Sequence, residues 1–126
     1  MSKKLFGNSH KDTIISALNL AGTLAELDHY AEANQILRES IPASKRLFGS
    51  DHNLTLNIRQ SYARTLYLAG SASRTDLREA VAVMNDVVRR SRRVNGTHHP
   101  KTLENESALR GAKAALALAE DSSNAS

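Results

Sequence analysis

No cysteine occurs among the 126 residues, so disulfides, thiolate metal sites and cysteine nucleophiles are excluded. Tryptophan is missing too, and aromatic residues make up only 4% of the chain. With so few aromatics and so much alanine and leucine, the composition favours helix over sheet. No apolar run approaches the roughly 18 residues that a membrane span needs. No apolar stretch follows Met1-Ser2-Lys3-Lys4, so no secretory signal is expected and the expected location is cytoplasmic. Triplets such as Asn53-Leu54-Thr55 should then stay unglycosylated. Also lacking are a Gly-x-Ser-x-Gly elbow, a His-Glu-x-x-His pair and a phosphate-binding glycine loop. The expectation is no enzyme, no cofactor and no metal site.

What the chain does have is a repeat. Leu47-Phe48-Gly49-Ser50-Asp51-His52-Asn53-Leu54-Thr55 has an earlier copy beginning at Leu5 and a later one beginning at Val94. Each copy has an apolar residue two before a glycine, a histidine three after it and a threonine six after it. Gly7 and Gly49 are 42 residues apart, and Gly49 and Gly96 are 47 apart. A period of this size marks a solenoid of stacked units, none of which can bury its apolar face alone. One domain is the natural count for this length.

The stretches between the seams read as helices. Residues 1–12 form a lead-in, with Leu5-Phe6-Gly7 resembling the end of a helix. Thr13 is the expected N-cap of a helix running to Leu27. Ala21-Gly22 in its middle suggests close approach by a neighbouring helix. A second helix spans Tyr30 to Phe48, with a kink or break expected at Pro42 and Gly49 as a left-handed C-cap. Ser44 falls on its apolar face, where it is small enough to be tolerated. A third helix runs from Thr55 to Ala69 and ends at Gly70. Residues 71–75 are a polar insert that accounts for the longer second period, and they should form an exposed loop. Thr75 or Asp76 caps a fourth helix with an inner stripe of Leu77, Ala80, Val81, Met84, Val87, Val88 and Ser91. A fifth helix, 102–120, has a weaker stripe interrupted by Gly111. Residues 121–126 should be disordered. The units are thus 13–49, 55–96 and a capping helix, 102–120, within one domain, 13–120.

Helix pairs joined by Gly-x-x-His-x-x-Thr seams resemble tetratricopeptide repeats, and specifically those of kinesin light chains. The family pattern is matched by Asn19-Leu20-Ala21-x-x-Leu24 and Asp28-x-Tyr30-x-Glu32-Ala33. It is matched again by Ser61-Tyr62-Ala63-x-x-Leu66 and by His99-Pro100-x-Thr102-Leu103. The resemblance implies an all-α, right-handed α-solenoid of about five helices whose first helices line a concave groove that binds peptides. The groove positions it carries over are Ile15, Asn19, Gly22 and Glu26, then Asn57, Gln60, Ser61, Arg64 and Tyr67. Amide side chains there can bond a peptide backbone, and Arg64 can pair with a carboxylate.

Two further features need weighing. The seam histidines lie a repeat apart, which favours capping and hydrogen bonding over metal binding. Arg89, Arg90, Arg92 and Arg93 form a basic cluster that reads either as a solvated face or as a patch for an acidic partner. No aromatic residues interleave with these arginines, which argues against base stacking with nucleic acid. The expected function is a protein-interaction module that binds a peptide as an adaptor or scaffold. The alternative is a self-associating repeat unit or part of a larger repeat protein, with nucleic-acid binding ranked third.

Overall fold

The computed structural model describes residues 6–69 and 72–125. They form five helices: α1 (Phe6–Glu26), α2 (Tyr30–Phe48), α3 (Asn53–Leu68), α4 (Arg74–Asn95) and α5 (Pro100–Ala125). Each helix packs on the next in the chain, and α1 also touches α3, as α3 touches α5. Among the described residues, helices α2 and α4 do not meet. The odd helices therefore form a closed inner row, while the even helices splay apart on the outside. This is an all-α, five-helix repeat arrangement of the tetratricopeptide-like solenoid kind. Among the described residues, no helix is long and apolar enough to cross a membrane.

The repeat sets the packing. Ala33, Leu37 and Ser44 of α2 are buried, and so are Ala80, Met84 and Ser91, which stand 47 residues later on α4. These positions recur at three- and four-residue steps, so each outer helix turns one stripe inward. Ser44 and Ser91 are more than tolerated small residues. Ser44 shares a hydrogen bond with Thr55 at 2.6 Å, and Ser91 shares one with Thr102 at 2.9 Å. All four side chains are fully buried.

The seams turn on glycine, though not in the left-handed helical conformation expected. Gly49 has φ 96° and ψ 162°, and Gly96 has φ 98° and ψ 159°. That extended, positive-φ region is essentially reserved for glycine. Histidine, rather than threonine, then caps the next helix. His52 Nδ1 accepts from the Leu54 amide, and His99 Nδ1 accepts from the Lys101 amide, each at 3.0 Å. Pro100 takes the first helical position, where its missing N–H costs nothing. Helix α4 starts earlier than expected: Ser73 caps it, in a reciprocal capping box with Asp76. Arg74 and Thr75 thus belong to α4 and not to a loop, while Gly70 and residue 71 lie outside the described residues.

Other departures have local causes. Helix α1 begins at Phe6, so Gly7 and Thr13 lie inside it and neither forms a turn or cap. Residues 1–5 are outside the described chain. Helix α5 runs through residues 121–125, which were expected to be disordered. No glycine or proline interrupts that stretch, and extending an existing helix is far cheaper than starting one. Residue 126 is not described. Pro42 is exposed, and α2 continues past it to Phe48 without a break. Gly22 makes no close approach, because nothing lies within 4 Å of where its Cβ would stand. The tight contact is at Gly111, where a Cβ would lie 3.0 Å from the Tyr67 ring.

Helix α1 ends in a Schellman arrangement. The His29 amide donates to Leu24 O at 2.8 Å and the Asp28 amide donates to Ala25 O at 3.0 Å. Asp28 takes φ 65° to allow this, in the region glycine enters without cost. Two substitutions should therefore move stability in opposite directions. Gly49→Val should cost about 1–3 kcal/mol, since a β-branched residue resists that backbone. Asp28→Gly should gain up to about 1 kcal/mol. Urea titration of the two variants checks both signs.

Candidate functional site

Because α1, α3 and α5 lie side by side, residues one repeat apart come to the same level. Asn19 and Ser61 are 42 positions apart, and Asn57 and Glu104 are 47 apart. The structure brings these four together. A groove of about 450 Å³ is lined by Asn19 and Glu26 of α1, Asn57, Gln60 and Ser61 of α3, and Lys101 and Glu104 of α5. A second hollow of about 420 Å³ adjoins it between α1 and α3, with Arg64 and Ser61 on its wall. Gly22 lines both, and its lack of a side chain leaves the passage open.

The expected groove residues divide into three groups. Asn19 and Arg64 are exposed, and Asn57 and Ser61 are half-buried. Among the described residues, Arg64 has no carboxylate within ion-pair range. Gln60 is partly committed: its Nε2 donates to Asn105 Oδ1 at 2.7 Å, which leaves its carbonyl oxygen as an acceptor. Tyr67 does not join the groove. Its ring packs over Gly111 of α5, and burial pushes its phenol up from the usual value. Lys101 and Glu104 were missed as groove residues. The signal was available, since Glu104 follows Asn57 by the repeat offset, but α5 resembled a degenerate cap.

The arginine cluster is engaged within the fold. Arg90 donates to Asp51 at 2.7 Å and to Asp86 at 2.8 Å, and Arg93 donates to both Asp51 oxygens at 3.0 Å. Arg92 holds Glu106 of α5 at 2.7 Å and 3.0 Å. Arg89 contacts Asp86, which also receives Arg59 of α3 at 2.6 Å. Every arginine of the cluster thus has a carboxylate partner. They fasten α4 to α5 and to the turn between α2 and α3, and Asp86 with Arg59 fastens it to α3. Burial works to raise the Asp86 carboxyl, but the hydrogen bonds from Arg59 and Arg90 outweigh it and hold the group at about 2. Asp51 is also lowered, by its bonds to Arg90 and Arg93.

The described histidines are engaged or placed separately. His52 and His99 are helix caps, His29 lies 3.4 Å from Glu32, and His98 is exposed. No group of three or more His, Asp or Glu side chains among the described residues could hold an ion. A further cleft, of about 700 Å³, opens where α2 and α4 splay over α3. Tyr62 crosses it to donate to Glu79 at 2.5 Å, and Asn34 donates to Thr65 at 2.9 Å. Burial and the Glu79 bond push the Tyr62 phenol up to about 12. Sequence reasoning treated Tyr62 as plain core and missed this cleft.

The ion network should make stability acid-sensitive. The folded-state value of Asp86 lies below the unfolded value of about 3.9. Its contribution is therefore complete above about pH 4 and is lost as pH falls towards 2. Asp86→Asn should lower stability at pH 7 by about 1 kcal/mol after solvent screening and flatten the acid limb. Denaturation curves at pH 7 and pH 3, for both proteins, measure the difference.

Residues 13–54 match the family model described as Tetratricopeptide repeat. Neither a curated protein nor a solved structure matches the chain. The matched stretch covers α1 from Thr13, all of α2 and the first seam. The second seam repeats three features of the first: the glycine turn, the histidine cap and the buried Ser–Thr pair. Residues 13–54 are thus similar to a tetratricopeptide repeat, and the five helices form a repeat arrangement consistent with that kind of solenoid, a class that is generally non-catalytic.

Proposed function

We propose that the chain is a protein-interaction scaffold that takes a peptide segment of a partner along the groove of α1, α3 and α5. The observation that carries this reading is the set of polar side chains that successive repeats place at one level. Asn19, Asn57 and Ser61 offer donors and acceptors to a peptide backbone, and Gln60 offers its remaining oxygen. Arg64 stands at one end of the face without an internal partner among the described residues, and Lys101 stands nearer the other. The peptide that fits is extended or helical, with an acidic residue placed against Arg64. Glu26 and Glu104 lie on the same walls and set its register by repelling acids elsewhere. The seam's likeness to kinesin light chain repeats supports an adaptor of that kind as the finer reading.

The test uses a partner recovered by pull-down with the whole chain. Arg64→Ala should weaken binding by about 1.5–3 kcal/mol if the ion pair is desolvated, and by less at a wet rim. Asn57→Ala should cost roughly 1 kcal/mol. Arg89→Gln should bind as wild type, since that side chain points at Asp86 and not at the groove. Calorimetry on variants of unchanged helicity decides the matter. If both groove variants bind normally while Arg89→Gln loses affinity, the outer basic face is the site and the groove reading fails.

A further inference from the structure

The cleft between α2 and α4 differs from the groove in the balance of its charge. Its volume of about 700 Å³ lies within the roughly 300–1,000 Å³ of ligand pockets. Helix α2 gives one wall, with Tyr30 and Arg38, and α4 gives the other, with Asp76 and Glu79. Residues 30, 34 and 38 stand four apart and residues 76 and 79 three apart, so each set shares a helix face. Asp28, in the turn between α1 and α2, lines the same cleft. Three carboxylates and one guanidinium therefore surround one hollow. The whole chain has a formal net charge of +4, so this is an acidic hollow on a basic molecule.

The charges in it are not used by the fold. In the arginine cluster, opposite charges within reach of each other pair. In the cleft they stay apart. Among the described residues, Asp28 and Arg38 take part in no ion pair. Asp76 accepts the Ser73 amide on one oxygen, and Glu79 accepts the Tyr62 phenol on one oxygen. Each keeps a second oxygen without a partner among the described residues. The Tyr62 phenol, pushed up to about 12, stays a donor at neutral pH and holds the Glu79 carboxylate in place. Asp28 stands at φ 65°, a backbone that glycine takes more cheaply. Forty-two positions later the sequence has Gly70. The turn thus has no need of an aspartate, and its carboxylate has no partner within the described fold.

We infer that the outer cleft is a second binding site, which takes an arginine side chain from a peptide segment of a partner protein. Charge complementarity selects the cation. Asp28, Asp76 and Glu79 supply carboxylate oxygens, and a guanidinium meets them with N–H donors in a planar fork. Tyr30 and Tyr62 line the same cleft, and guanidinium stacks on aromatic rings better than an ammonium does. Arg38 turns the incoming cation towards the α4 wall and holds a backbone carbonyl of the same segment. Nucleic acid and anionic lipid carry the wrong sign for this cleft. None of its charged residues is among those assigned to the groove, so either site can fail without the other. Asp28 also borders the inner hollow beside Arg64, whereas Glu79 does not, which makes Glu79 the deciding position.

The test titrates a capped Gly-Ser-Arg-Ser-Gly peptide into the isotope-labelled full chain and follows the backbone amide shifts. Peptides with glutamine or glutamate in place of the arginine are the comparisons. Shifts with the arginine peptide should saturate and centre on residues 30–38 and 76–79. The glutamine peptide should bind roughly tenfold more weakly, having lost its charge-assisted bonds. Asp28→Gly and Glu79→Gln should each weaken the arginine peptide by about threefold, as exposed ion pairs do, and Asp28→Gly should do so without loss of stability. Glu32→Gln removes an exposed carboxylate of α2 that does not line the cleft and should bind as wild type. Equal binding of the arginine and glutamine peptides would overturn the inference. So would shifts centred on Glu26 and Glu104 of the groove, an absence of saturable shifts, or unchanged affinity of a Glu79→Gln chain of normal helicity.

Discussion

The buried hydroxyl pair at each seam is the contact on which the arrangement depends. Ser44 with Thr55, and Ser91 with Thr102, join the last turns of an outer helix to the first turn of the next inner helix. None of the four hydroxyls reaches water. Ser44 and Thr55 rely on each other, whereas Thr102 also donates to Gly96 O at 2.8 Å and Ser91 also accepts from Asn95 at 3.2 Å. A hydrogen bond has a narrow range of length and angle, whereas an apolar contact can slide. The pair therefore fixes how one unit meets the next, and the glycine turn and histidine cap beside it fix how the chain gets there. The second seam adds Asn53 and Asn95, which exchange hydrogen bonds at 2.9 Å and 3.1 Å, and the arginine–carboxylate network. The first seam has no counterpart of that network among the described residues, since Ala43 and Arg46 stand where Arg90 and Arg93 do.

From the seam follows the groove. Holding the inner helices at a constant offset turns a sequence period into a spatial ladder, so Asn19, Ser61, Asn57 and Glu104 line one groove. The packing also decides what is withheld. Tyr67 is drawn away to cover Gly111, and Gln60 is half spent on Asn105. What remains is a neutral, amide-rich face with cations at its two ends and carboxylates between. A peptide held there, as proposed, would be selected by backbone bonding and by the position of one acid more than by apolar burial. The splayed outer helices give a second cleft whose polar floor is already satisfied by Tyr62–Glu79 and Asn34–Thr65.

Much of this was legible where periodicity governs. The inner stripe of α4, from Leu77 to Ser91, is turned inward as its spacing requires, and the seams at Gly49 and Gly96 fall where their recurrence places them, whereas Gly7 lies inside α1. What spacing could not show is which polar partner a residue finds. Thr55 reads as the start of its helix because it opens an apolar run, yet the helix begins at Asn53, where His52 has the nitrogen in reach of the Leu54 amide. Ser44 looked merely small, because its partner lies across the seam. The arginines looked free, because Asp51 and Asp86 reach them from other elements or from a different turn of the same helix. Gly22 and Gly111 are the same residue type in mid-helix with opposite meanings. One faces open space, and the other faces a ring whose direction only the fold sets. The capping box at Ser73 was readable, since Ser-x-x-Asp precedes the run, and the stronger pull of the insert's length obscured it.

The central claim is that the seam hydroxyls are a coupled pair and not two independently tolerated polar residues. A double-mutant cycle on Ser44→Ala and Thr55→Val, read by urea unfolding, measures this most directly. Each single change leaves the other hydroxyl buried without its partner and should cost about 1–3 kcal/mol. The double variant should cost little more than one of them, giving a coupling of about 1 kcal/mol or more. Costs that simply add, to within about 0.5 kcal/mol, would contradict the account.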